Sequence, residues 1–152
     1  MVVVGPPEAG KSTLIKALSP TAMNLEVQGR TVAMDHGTAT IAGVAVSLIG
    51  VPGQTRFAAI REVLTRGTRL AVWVHPADQI LDLETRELIR RLAVEGVPYV
   101  VLVNHRAAGP WANGWAQPAD LPEPHEVIHG NLGDRDHWLH LVEASIARHV
   151  LR

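Results

Sequence analysis

Gly5-Pro6-Pro7-Glu8-Ala9-Gly10-Lys11-Ser12 fits the pattern G-x-x-x-x-G-K-S/T. Its flanks decide whether the pattern carries chemistry. Val2-Val3-Val4 before it is a β-branched run that reads as a buried strand, and Thr13-Leu14-Ile15-Lys16-Ala17-Leu18 after it reads as a helix stopped at Ser19-Pro20. Strand, glycine loop and helix together make an anion site, because the backbone N–H groups of the loop turn inward and the helix adds its positive dipole end. The predicted cradle is Gly5, Glu8, Ala9, Gly10, Lys11, Ser12 and Thr13. In such a loop Lys11 reaches the β- and γ-phosphates of a nucleotide, and the Ser12 hydroxyl ligates Mg²⁺.

The remaining composition sets bounds. The 152 residues are expected to form one domain over 1–152, with enough burial for a real core. The net charge of −1 gives no footprint for a nucleic-acid partner, and with no cysteine there is no disulfide framework or thiol chemistry. No apolar run approaches the ~20 residues that span a bilayer. Met1 stands almost directly on the first strand, which argues against a leader, so a cytoplasmic protein is expected.

Along the chain, residues 19–34 are polar and weakly patterned and read as a loop. Thr38–Ile41 and Val44–Ile49 read as a hairpin joined at Ala42-Gly43. Phe57, Ile60, Val63 and Leu64 recur at helical spacing, with Gly67 as the stop. Leu70–Val74 is a buried strand. Leu81, Leu88, Ile89 and Leu92 mark a helix closed by Gly96, and Val97–Val103 is a strand apolar on both faces. Pro110, Pro118, Pro122 and Pro124 make 105–124 a long loop. Glu126–Ile128 reads as a short strand, and Trp138, Leu141, Val142, Ser145, Ile146 and His149 as a final helix with Asp134 at its N-cap. The expected fold is a three-layer α/β P-loop NTPase domain. Its central sheet has about six strands, mostly parallel with one antiparallel edge strand, and helices on both faces. Ligands in such sheets sit at the carboxyl ends of the strands.

With the P-loop, three further segments resemble the Ras-like small GTPases: Gly50-Val51-Pro52-Gly53-Gln54-Thr55-Arg56-Phe57, Thr31-Val32-Ala33-Met34-Asp35-His36-Gly37, and Val103-Asn104-His105-Arg106. The Val-Pro-Gly-Gln wording is similar to the prokaryotic branch that contains the gliding-motility GTPase MglA and relatives encoded beside Roadblock-type regulators. The resemblance implies that the Gly53 N–H contacts the γ-phosphate and that Gln54 orients the attacking water. In-line phosphoryl transfer needs positioning and charge neutralisation more than covalent help. It implies that Thr31 ligates Mg²⁺ beside Ser12, that Asn104 braces the P-loop and faces the base, and that His105 stacks where the family has lysine. The family's carboxylate in the Mg²⁺ shell falls at Gly50 and is missing, and Asp35 is a candidate to replace it. Ala107 stands where the family's Asp accepts hydrogen bonds from guanine.

The implied function is a Mg²⁺-dependent switch that binds GTP and GDP, hydrolyses GTP slowly, and signals to a protein regulator or effector through two loops. A degenerate GTPase serving as a protein-binding scaffold is an alternative, as is a base-indifferent or ATP-binding NTPase. His125-Glu126-Val127-Ile128-His129 spells the zinc-protease pattern, but the prolines before it and Val-Ile within it favour a strand. There the two histidines stand ~13 Å apart, too far for one zinc. Trp73 and Trp138 read as core. Trp111 and Trp115 are either a partner surface or a cap on the core.

Overall fold

The computed structural model describes residues 1–27, 30–51, 65–106 and 114–150, and for 24–27 and 30–34 the backbone alone. In chain order the elements are β1 (Val2–Val4), α1 (Lys11–Leu18), β2 (Met23–Val27), β3 (Arg30–Ile41), β4 (Val44–Gly50), β5 (Ala71–Pro76), α2 (Leu83–Val94), β6 (Tyr99–Asn104), β7 (Val127–Gly130) and α3 (Arg135–Val150). The strands form one sheet in the order β2-β3-β4-β1-β5-β6-β7. β4, β1, β5, β6 and β7 pair in parallel, and β3 runs antiparallel to both its neighbours. The expected α/β architecture is the one observed.

Every residue of β1, β5 and β6 is buried, as their mostly apolar runs require of strands covered on both faces, with His75 and Asn104 the buried polar residues near the carboxyl ends of β5 and β6. The sheet divides the core in two. On one face Leu14, Ile15 and Leu18 of α1 and Trp138, Val142 and Ile146 of α3 pack on Val3, Leu48, Val72 and Leu102. On the other, Ile89 and Leu92 of α2 pack on Val2, Val4, Trp73, Tyr99 and Val101. Alternate residues of the same strands serve opposite faces, the period of two expected of β structure.

The β3–β4 hairpin turns at Ala42 and Gly43, with φ of 50° and 79°. Positive φ at both central residues gives the turn the twist that the flanking strands need. α2 starts where the Asp82 carboxylate accepts the Thr85 N–H at 3.0 Å. It ends before Gly96, whose φ of 79° suits glycine.

Two expectations need correction. Residues 19–34 are not a loop, because β2 and the first half of β3 lie there, and they bring the sheet to seven strands. The β2–β3 register shifts between Met23 and Leu25 and again between Leu25 and Glu26. Such bulges erase the two-residue alternation that makes a strand readable. The antiparallel strand is β3, one place in from the edge that β2 occupies. The helix expected over Phe57–Leu64 lies outside the described residues.

Trp115 packs edge-on to Trp73 at 5.0 Å between ring centroids and to His75 at 5.6 Å, so it caps the second core. Trp111 lies outside the described residues. Trp73 and Trp138 are fully buried, as their spacing implied.

Candidate functional site

The topology gathers one end of the sheet into a single place. The P-loop follows β1, Gly50 ends β4, Asn104 ends β6, and Leu132 follows β7. β3 runs the other way, so its beginning lies at this same end.

The loop has its shape because two glycines permit it. Gly5 has φ of 154°, and a Cβ there would lie 2.5 Å from the Val74 carbonyl oxygen. Gly10 has φ of 110°, and a Cβ there would lie 2.5 Å from Leu132 Cδ1. The backbone is thus pressed against β5 on one side and the β7–α3 connection on the other. Glu8 adopts φ of 61°, an unusual value for a residue with a side chain. Gly10 is the N-cap of α1 and offers no side-chain cap, so no side chain of its own covers the first-turn N–H groups.

Lys11 folds back over the loop. Its Nζ donates to the Gly5 carbonyl at 2.6 Å and the Pro6 carbonyl at 3.0 Å. Burial pushes its amine down to about 8, against the opposing pull of the Asp82 carboxylate. Ser12 is half-buried and Thr13 exposed in the first turn of α1. Asn104 binds two partners at once: its Nδ2 donates to the Ala9 carbonyl at 3.0 Å, and its Oδ1 accepts the Leu132 N–H at 3.2 Å. This is the brace expected of it. Asn104→Ala leaves both partners buried and unmatched. It is expected to cost about 2–3 kcal/mol in urea denaturation.

The base side of the site is built differently from the resemblance. His105 Nε2 lies 2.8 Å from His129 Nδ1, with the rings tilted at 5.1 Å between centroids. Burial and the neighbouring imidazole lower the pKa of His105, and burial lowers that of His129. Arg106 donates to the Glu8 carbonyl at 2.7 Å. The H-E-x-x-H stretch disperses: His129 goes to His105, Glu126 pairs with Arg148, and His125 stacks edge-on with His149 at 4.9 Å. β7 begins at Val127, which confirms the strand reading. Among the described residues no group of three or more His, Cys, Asp or Glu could hold a metal alone.

The backbone of Thr31 lies in β3, paired with Glu26. Gly53, Gln54 and Ala107 lie outside the described residues. Sequence reading placed the last base-contacting loop near Asn131-Leu132-Gly133 by resemblance, but gave no role at the site to Arg106 or His129. Leu132 had a local signal, an apolar residue between Asn131 and Gly133 just past a strand, but its contact with Gly10 is a tertiary fact.

A family model described as 50S ribosome-binding GTPase matches residues 1–105. This chain belongs to that GTPase family. It is a GTP-binding G domain, homologous to those of translation factors. It is 34% identical over 109 residues to the uncharacterized protein MJ1339 of Methanocaldococcus jannaschii, covering 72% of this chain and 71% of that one. It is 32% identical over 106 residues to translation initiation factor IF-2 of Rickettsia canadensis, covering 68% of this chain and only 13% of the factor. Elongation factor SelB of Methanococcus maripaludis, solved with a GTP analogue, matches 99% of this chain and 33% of its own at TM-score 0.70 and 15% identity. The cytosolic domain of L. pneumophila FeoB matches 68% of this chain and 49% of its own at TM-score 0.53 and 22% identity. These last two likenesses are of fold. The relatives give no support to the gliding-motility branch or its Roadblock-type partner. Among the described residues no helix is long and apolar enough to cross a membrane.

Proposed function

We propose that this G domain is a slow switch that binds Mg²⁺–GTP, hydrolyses it to GDP, and reports the change to a protein partner through the segments 31–37 and 50–57. The observation that carries the reading is the formed P-loop, with Lys11 inside it and Asn104 tying it to the β7–α3 connection. Lys11 exchanges its two carbonyl partners for the β- and γ-phosphates. Ser12 and Thr31 hold the cation, which neutralises phosphate charge when bound. Gly53 presents its N–H to the γ-phosphate, and Gln54 orients the attacking water. Among the described side chains Arg106 reaches the loop, where the Glu8 carbonyl holds it; on this reading turnover is slow and a partner supplies the charge that stabilises the transferring phosphoryl group. The family description and the translation-factor relatives favour a partner in translation and a cytoplasmic setting. A Roadblock-type partner rests on motif wording alone.

A second reading, a nucleotide site with weak base preference, is favoured by the His105–His129 pair. An imidazole pair stacks on any base and lacks the carboxylate that accepts from the guanine N1 and N2 positions. Calorimetric titration with GTP, GDP and ATP in Mg²⁺ separates the readings. At least tenfold preference for guanine nucleotides supports the switch, and equal affinities support the second reading. Single-turnover hydrolysis is expected to fall about 10-fold or more in Gln54→Leu with binding unchanged. Binding of a partner with no nucleotide binding at all would favour the scaffold.

A further inference from the structure

Among the described residues Asp35 is the one buried carboxylate, 3% exposed, and its Oδ2 has no hydrogen-bond partner. A lone buried carboxylate is costly unless something compensates it. Its place in the fold indicates what does. His36 pairs with Ile49, so the next step of the register sets Asp35 across from Gly50. A Cβ at Gly50 would lie 3.5 Å from the Asp35 carbonyl oxygen, 3.6 Å from its nitrogen and 3.0 Å from Ile15 Cδ1 of α1. Gly50 therefore leaves room between Asp35 and α1 that any other residue would fill. Strand alternation puts Asp35 on the face of Ala39 and Ile41, which pack in the α1 core. The Val51 N–H donates to Val3, so Gly50 stands level with the end of β1 that enters the P-loop. A carboxylate whose buried Oδ2 lacks a partner thus sits at the ligand end of the sheet, on the side of the helix that carries Lys11 and Ser12.

We propose that Asp35 supplies the carboxylate that faces the nucleotide's divalent cation, from the strand beside the one where the resemblance led us to expect it at Gly50. This rests on the nucleotide-binding reading above. Mg²⁺ keeps several waters and is held by one or two carboxylates together with substrate phosphates, so a single aspartate beside Ser12 suffices. Asp35 would accept hydrogen bonds from the water shell, and its buried Oδ2 would gain a partner only in the loaded state.

The test uses the full chain, a fluorescent N-methylanthraniloyl GDP, and the variants Asp35→Asn and Asp35→Gly/Gly50→Asp. The second variant moves the carboxylate across the strand pair, where a Cβ at Gly50 comes closest to the flexible end of Ile15, at 3.0 Å. Asp35→Asn is expected to raise the melting temperature without metal or nucleotide, because a buried carboxylate oxygen without a partner is gone. It is also expected to raise the Mg²⁺ concentration that half-slows GDP release by about 10–100-fold. The exchange variant is expected to restore most of the Mg²⁺ response. A lowered melting temperature with an unchanged Mg²⁺ midpoint would mean that Asp35 is a structural residue, and the proposal falls. Wild-type GDP binding that is insensitive to Mg²⁺ overturns the proposal and leaves nucleotide binding standing. No GDP binding by the wild type overturns both.

Discussion

Replacing Lys11 by alanine is expected to weaken Mg²⁺–GTP binding by roughly 10²–10⁴-fold, read by calorimetry. Lys11 makes two hydrogen bonds inside the loop, to Gly5 and Pro6, and under the proposed function it redirects them to phosphate oxygens. Bonds to charged groups are worth ~1.5–3 kcal/mol each, so two of them give that range. Because the amine titrates at about 8, wild-type affinity should be flat below that pH. Above it the charged lysine must be regenerated on binding, and affinity falls by up to about tenfold per pH unit. Lys11→Ala removes this alkaline limb. The stability of the free protein has the opposite sign. Between about 8 and the ordinary 10.5 the unfolded chain holds a proton that the folded chain lacks, so Lys11's contribution rises with pH and is lost as pH falls through about 8. Equal pH profiles for wild type and variant would rule out Lys11 as a phosphate ligand.

The largest expected loss of stability is from Trp138→Ala, about 3–5 kcal/mol, with a melting temperature lowered by roughly 10 °C. Trp138 is fully buried in the core under α1 and α3. Gly130 of β7 makes room for it, since a Cβ there would lie 2.9 Å from Trp138 Cβ. The indole Nε1 has no partner, so Trp138→Phe removes a buried N–H along with some volume and should cost clearly less. Chemical denaturation of the three proteins tests this order. Similar stability of wild type and the alanine variant would mean that α3 does not depend on this contact.

The central strands and the phosphate loop were legible because their signals are local. Val2–Val4 and Val97–Val103 are apolar throughout, which suits only strands covered on both sides, and the spacing of Gly5, Gly10 and Lys11 constrains a short backbone. Asn104 was legible through the resemblance, and the pair of bonds it makes agrees with that reading. The edge of the sheet was not legible. β2 is a strand because its backbone pairs with β3 through a shifting register, and pairing leaves no trace in composition. The base side was half legible. Ala107 showed what was missing, but the partner of His105 lies 24 residues away, in a stretch whose letters suggested a zinc site.

By itself the sequence determined the α/β class, the anion-binding loop and the residue that tests it, since these depend on period and on conformations open only to glycine. The tertiary structure alone decided that Leu132 presses on Gly10, that His129 meets His105, and that Asp35 stands buried across from Gly50. Each joins segments distant in the chain, and strand order and register, which are set by backbone pairing, bring them within reach.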